Sequence, residues 1–128
     1  MKNYENVANV QEYGCGALDN LALDNAANKV TIGALGCIAV IVEAMKKHKH
    51  VANVQANGCA ALRTLALVNG TNKVTIITIG GVAVIVEAMK KHDNVAVVQE
   101  EGLAALENLA RNDALEGIHT DFTTQLPQ

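Results

Sequence analysis

The chain has 128 residues and a formal net charge of −3; half of its residues are apolar but only 2% are aromatic. That is one domain's length with enough aliphatic surface for a continuous core, while the acidic balance and the absence of Trp argue against a nucleic-acid binder. Three cysteines, an odd number with no Cys-x-x-Cys spacing, point to reduced thiols and an intracellular setting, cytoplasmic or nuclear.

The opening residues carry Lys2, Glu5 and Glu12 with no apolar run, so they do not read as a signal peptide. From Val7 the apolar positions Val10, Gly14, Ala17, Leu18 and Leu21 recur at steps of three and four, the stripe of an amphipathic helix. Asn25 and Asn28 stand where that helix should stop and the next begin, and a short helix is predicted over Lys29–Leu35, broken by Gly36. A second apolar helix is predicted over Ile38–Lys47, its end marked by Lys46, Lys47 and His48, cations that suit a helix C-terminus. The longest apolar run, Cys37–Val42, falls far short of the roughly 20 residues a membrane span needs. A long helix then begins again near Val51. The Val/Ile-rich stretch Val82–Val86 could suggest a strand, but its twin runs on into Glu-Ala-Met-Lys-Lys, which forms helix.

That recurrence is the main signal. Residues 7–48 align with residues 51–92 at a shift of 44 without a gap; 13 of the 42 positions differ and 29 are identical. A third copy starts at Val95 in the same register (Gln11, Gln55, Gln99; Gly14, Gly58, Gly102; Leu21, Leu65, Leu109) and loses the pattern after Asn112. A period of about 44 residues suits a unit of two or three helices. The endings Ala17-Leu18-Asp19-Asn20-Leu21-Ala22 and Ala105-Leu106-Glu107-Asn108-Leu109-Ala110, with the turns Leu35-Gly36-Cys37-Ile38 and Ile79-Gly80-Gly81-Val82, resemble the armadillo family. The resemblance implies an all-α right-handed superhelical solenoid. Each of its repeats would have a short first helix, a second helix and a long third helix, and the third helices would line a concave groove that binds extended peptides. On that reading residues 1–112 form the repeat domain, with a lone third helix over 6–25 and repeats over 28–69 and 72–112; residues 113–128 form a tail and a candidate cap.

The differences between copies are not scattered. Glu12/Ala56, Tyr13/Asn57, Gly16/Ala60, Asp19/Arg63 and Asn20/Thr64 share one helical face at about 100° per residue. That face lies opposite the Val10–Gly14–Leu18–Leu21 stripe, and the resemblance places it in the groove. Exposed positions drift after duplication without selection, whereas a groove varied to read a ligand would concentrate change here; Lys46, Lys47 and His48, unchanged at their second occurrence, weigh against free drift. The candidate peptide-binding residues are Asn9, Glu12, Tyr13, Asn20, Asn53, Asn57, Arg63, Thr64, Glu100, Glu101 and Asn108, with Gly16, Ala60 and Ala104 along the same row. The resemblance implies that Asn20 and Asn108 clamp a peptide backbone and that Thr64 interrupts their ladder. Small residues at 16, 60 and 104, where the nuclear-import branch carries Trp, argue against a nuclear-localisation receptor. The acidic excess of the face favours a basic partner.

Other features are weaker. Lys46–His50 and Lys90–His92 could form a basic ridge for nucleic acid or anionic lipid, but short clusters on an acidic chain read as helix-end charge, and neither nucleic acid nor membrane is expected as a partner. His48 and His50, two apart, do not meet on a helix, and no metal or cofactor is expected. Cys15 and Cys59 fall on neighbouring long helices about 8–10 Å apart, too far for a disulfide, and read as packing residues. Gly14, Gly58 and Gly102 recur mid-helix, where Gly costs about 1 kcal/mol relative to Ala, which suggests close helix contact. No nucleophilic triad, phosphate loop or His-Glu-x-x-His motif appears, so an enzyme is not expected. The expected function is a protein-interaction scaffold; the alternative is a structural module that assembles through its ends. Two full repeats leave apolar faces at both ends of the array, so the chain is either part of a longer array or pairs with itself, and a homodimer is expected.

Overall fold

The computed structural model describes residues 1–111. After a short 3-10 turn at Lys2–Tyr4, seven α-helices follow: α1 (Ala8–Ala22), α2 (Ala26–Ala34), α3 (Cys37–Lys47), α4 (Ala52–Ala66), α5 (Gly70–Thr78), α6 (Gly81–Lys91) and α7 (Ala96–Ala110). Corresponding helices begin 44 residues apart, α1, α4 and α7 at residues 8, 52 and 96. Val82–Val86 lies inside α6, as its twin predicted. Residues 113–128, read as a candidate cap, lie outside the described residues.

The short helices start three residues earlier than the apolar pattern predicts, because Asn25 and Asn69 cap them. The Asn25 side chain accepts from the Asn28 amide at 2.9 Å, and Asn69 does the same for Asn72 at 2.9 Å. Asn28 and Asn72 in turn donate back to the last turn of the preceding long helix, to the carbonyls of Leu21 (2.6 Å) and Leu65 (2.9 Å). Gly36 and Gly80 take φ of 80° and 87°, the left-handed conformation that lets α2–α3 and α5–α6 bend by 72° and 70°. Among the described residues no single helix is long and apolar enough to cross a membrane.

Between the second helix and the following long helix, one glutamine closes the joint in every copy. Gln55 Nε2 donates to the carbonyls of Met45 (3.0 Å) and His48 (2.9 Å), and Gln99 to those of Met89 (2.8 Å) and His92 (3.0 Å). Gln11 does the same to Met1 (2.9 Å) and Tyr4 (2.8 Å), so Met1–Asn6 occupy the place that Met45–His50 occupy one repeat later. The same joint explains the recurring glycines. A Cβ on Gly58 would lie 2.6 Å from Met45 Sδ, one on Gly102 2.6 Å from Met89 Cγ, and one on Gly14 2.5 Å from Met1 Sδ. Glycine here is what lets the methionine of the second helix pass, the close contact that the recurrence suggested.

A second tie runs forward through a lysine. Lys29 Nζ reaches the Leu67 carbonyl at the end of α4 (3.1 Å), and Lys73 Nζ the Arg111 carbonyl after α7 (3.0 Å); both side chains are buried. An ammonium at a helix C-terminus satisfies an orphan carbonyl and opposes the helix dipole. His48 and His92 donate from Nε2 to the carbonyls of Glu5 (2.6 Å) and Lys49 (2.8 Å). That contact gives the conserved end of the second helix a structural reason, at least at its histidine.

The core is aliphatic. Ile38, Ile41, Met45, Leu62, Leu65, Ile76 and Ile85 are fully buried, each contributing about 1.5–3 kcal/mol of transfer free energy. α4 lies between α1 and α7, and the faces they share are distinct. Positions 10, 17 and 21 of the pattern turn toward the preceding long helix; positions 15 and 22 turn toward the following one. Leu65 is therefore 0% exposed and Leu109 8%, whereas Leu21, with no long helix before it, is 56% exposed. Cys15 and Cys59 are 0% exposed, and Leu103, their counterpart on α7, is 53% exposed. Among the described residues the first and last long helices thus leave Leu21 and Leu103 exposed.

Cys15 and Cys59 are free thiols, as expected of packing residues. Burial pushes both up to about 12; at Cys59 the Glu101 carboxylate and the Cys15 thiol add to the effect. One strained position remains: Val68, at φ 50°, occupies the left-handed region that a β-branched residue avoids, where its twin Asp24 sits at 53°.

Three expectations follow from these contacts. Gln55→Leu strands two carbonyls in the interior and should cost about 1–3 kcal/mol in chemical denaturation. Val68→Asn relieves the strain and should add about 1 kcal/mol by the same assay. The raised thiol values make the native state hold its protons where the unfolded chain loses them. Stability is therefore full below about pH 9 and falls as pH rises toward about 12. A Cys15→Ala, Cys59→Ala variant should show a shallower alkaline loss of Tm than the parent.

Candidate functional site

Among the described residues the long helices present one face that their neighbours cover only in part. Its middle row is small: Gly16 and Ala104 are half-buried and Ala60 is buried. On α4, packed on both sides, the polar side chains that stay partly exposed are Asn53, Asn57 and Arg63, all on this face. On α4 the predicted face is covered in part: Ala56, Ala60 and Thr64 are buried, while Asn53, Asn57 and Arg63 stay accessible. Asn9, Tyr13, Asn20, Asn53 and Glu100 are exposed on it, and Glu12 is half-buried.

The remaining predicted residues do something else first. Asn57 Nδ2 donates to the Glu12 carbonyl (3.0 Å), Thr64 Oγ1 to Asp19 Oδ1 (2.5 Å), and Asn108 Nδ2 to the Arg63 carbonyl (3.0 Å). Arg63 Nη1 pairs with Glu101 Oε2 at 3.0 Å. These are rungs between consecutive long helices, and the positions that differ between copies are their two ends. Asp19 faces Thr64, whereas its counterpart Arg63 faces Asn108 and Glu101. Thr64–Asp19 and Arg63–Glu101 join side chain to side chain, so there the residue at one end bears on the other, whereas Asn57 and Asn108 end on carbonyls that any residue supplies.

The clamp expectation needs correcting at Asn108 and Thr64. Position 20 of the pattern points toward the preceding long helix, so Asn108 is buried with its amide committed to Arg63, leaving its Oδ1 as the atom free to accept. Thr64 is buried too and fills the same role toward Asp19, so it does not interrupt a ladder. Asn20, the same position on α1, is exposed. Arg63 and Glu101 largely neutralise each other, which leaves Glu12, Glu100 and Glu107 as the carboxylates not engaged in these rungs.

Lys29, Lys73 and the three glutamines were not singled out by sequence pattern as structural ties. Their signal was present: Lys29 and Gln11 recur unchanged as Lys73 and Gln55. Among the described residues no group of three or more His, Cys, Asp or Glu side chains converges in a metal-binding arrangement.

No curated protein and no solved structure is significantly similar to the chain. The sequence profile of the family described as LRRK2 ARM repeat matches residues 14–124, a span that takes in the end of α1 and all later described helices. With its all-helical repeat, its stacked long helices and that match over most of its length, the chain belongs to the LRRK2 ARM repeat family, an armadillo-repeat protein-interaction fold.

Proposed function

We propose that the chain is a scaffold that binds an extended segment of a protein partner along the groove face of α1, α4 and α7. The supporting observation is the central helix: packed on both sides, it keeps polar side chains accessible on this face, beside a row of small residues that leaves room for a chain to lie. Asn9, Asn53 and Asn20 offer paired donors and acceptors to a peptide backbone, and Glu12, Glu100 and Glu107 favour a basic segment. The row at 16, 60 and 104 offers no aromatic slot, so the segment would be held by backbone contacts and charge. The reading carries with it a non-enzymatic role in a cytoplasmic setting, where the thiols stay reduced.

A display screen of random peptides checks this. Extended, Lys/Arg-containing peptides should be enriched on the parent and lost on Ala104→Arg, which fills the row. The Glu12→Ala, Glu100→Ala pair should weaken them about fivefold. Equal enrichment on parent and Ala104→Arg would refute the groove.

A second reading rests on the end faces. Leu21 on α1 and Leu103 on α7 are uncovered among the described residues, whereas their counterparts at Leu65 and Cys59 are sealed between helices. Stacking one copy's α1 on another's α7 would repeat the internal contact and place Asn20 against Glu107, the relation that Thr64 has to Asp19. Such head-to-tail contact would give association that grows with concentration, not a closed dimer. Light scattering should show mass rising with concentration and Leu103→Glu abolishing the rise; a constant monomer mass excludes this reading.

A further inference from the structure

The side of the array formed by the second helices carries two clefts that the groove reading leaves unused. One, of about 350 Å³, lies between the 3-10 turn and α3; the other, of about 470 Å³, lies between α3 and α6. They are the same site one repeat apart. The helices that form them share the identical run Ala39–His48 and Ala83–His92, and their floors are Ala39 and Ala44 in the first and Ala83 and Ala88 in the second.

The walls differ in charge. In the first cleft Glu5 Oε1 stands 3.1 Å from Lys47 Nζ, a closed ion pair. In the second, Lys49 replaces Glu5 and Lys91 replaces Lys47, so two cations stand where a pair was. Neither has a carboxylate within ion-pair distance among the described residues. Lys46 is a third cation on this wall, 3.6 Å from Glu43, and Glu87 is the acid that lines the cleft. The second cleft is therefore an apolar slot with a cationic rim, and the first is the same slot with its charge cancelled.

We propose that the cleft between α3 and α6 binds an acidic peptide segment of a partner protein. An aliphatic side chain would sit against Ala83, Val84 and Ala88, with flanking carboxylates on Lys46, Lys49 and Lys91. An apolar floor without aromatic side chains suits an aliphatic residue better than a nucleobase, and a chain of net charge −3 repels extended polyanions except where they meet this rim. The surface lies apart from the groove and has the opposite polarity.

The first cleft supplies the test. A fluorescein-labelled Glu-Glu-Leu-Glu-Ala-Glu peptide is titrated with the full chain by anisotropy, and each variant's fold is checked by circular dichroism. One peptide should bind per chain. Lys49→Glu, which installs the residue found in the first cleft, should weaken binding about tenfold, and Ala83→Leu, which fills the floor, should do likewise. Glu5→Lys should open the first cleft and raise the stoichiometry to two, a gain that misfolding cannot mimic. Ala104→Arg on the groove face should change nothing. The proposal is overturned if the parent fails to bind, if Lys49→Glu binds as the parent does, or if Ala104→Arg abolishes binding. It is also overturned if phosphatidylserine vesicles or a heparin oligosaccharide bind equally well to the parent and to Ala83→Leu while displacing the peptide, since charge alone would then suffice.

Discussion

Seven short helices in 111 residues create many helix ends, and each end leaves backbone groups that the helix itself cannot satisfy. This constraint organises the molecule. At each joint between a second helix and the next long helix, a single glutamine amide answers two carbonyls. At the end of α4 and after α7 a lysine ammonium answers another, and at the start of α2 and α5 an asparagine caps the first turn. The apolar core supplies most of the driving force, but aliphatic side chains of similar size can slide past one another. These polar contacts set the register in which the helices stack, because each leaves a buried group unsatisfied if the stack shifts.

The helices and their order were legible in the sequence because each rests on periodicity or duplication. The stripe at Val10, Gly14, Leu18 and Leu21 marks a helix, and the shift of 44 residues carries that reading from one copy to the next, but the neighbour decides its burial: Leu21 is exposed on α1 and its counterpart Leu65 is buried on α4. What could not be read was the destination of individual polar side chains. Asn108 looks the same in sequence whether its amide meets a ligand or the Arg63 carbonyl of α4, since both are reached from the same edge of α7. The angle at which neighbouring helices cross decides which it meets, and no local pattern encodes that angle. Lys29 was hidden for a different reason: lysine is almost never buried unless paired, and its acceptor, the Leu67 carbonyl, lies 38 residues away.

The rungs also change how the differences between copies should be understood. Taken one helix at a time, Asp19/Arg63 and Asn20/Thr64 are changes on a surface. Taken across the gap between helices, they are two ends of one contact, so a change at one end alters what the other can be. Divergence on the groove face is thereby constrained from below by stacking as well as from above by any ligand. The second helices pack through core side chains such as Ile41 and Ile85 and remain identical from Ala39 to His48 and Ala83 to His92.

The lysine tie closes each unit on itself. Lys29 and the Leu67 carbonyl it holds both lie in the repeat 28–69, and Lys73 and the Arg111 carbonyl both lie in the repeat 72–112. Every unit thus carries both the donor and the acceptor of its tie, like a link that is already clasped. Copying a whole unit and inserting it between two others severs no lysine tie, because the newcomer brings both ends with it. An array whose units are clasped in this way can lengthen or shorten by whole units without losing its lysine ties.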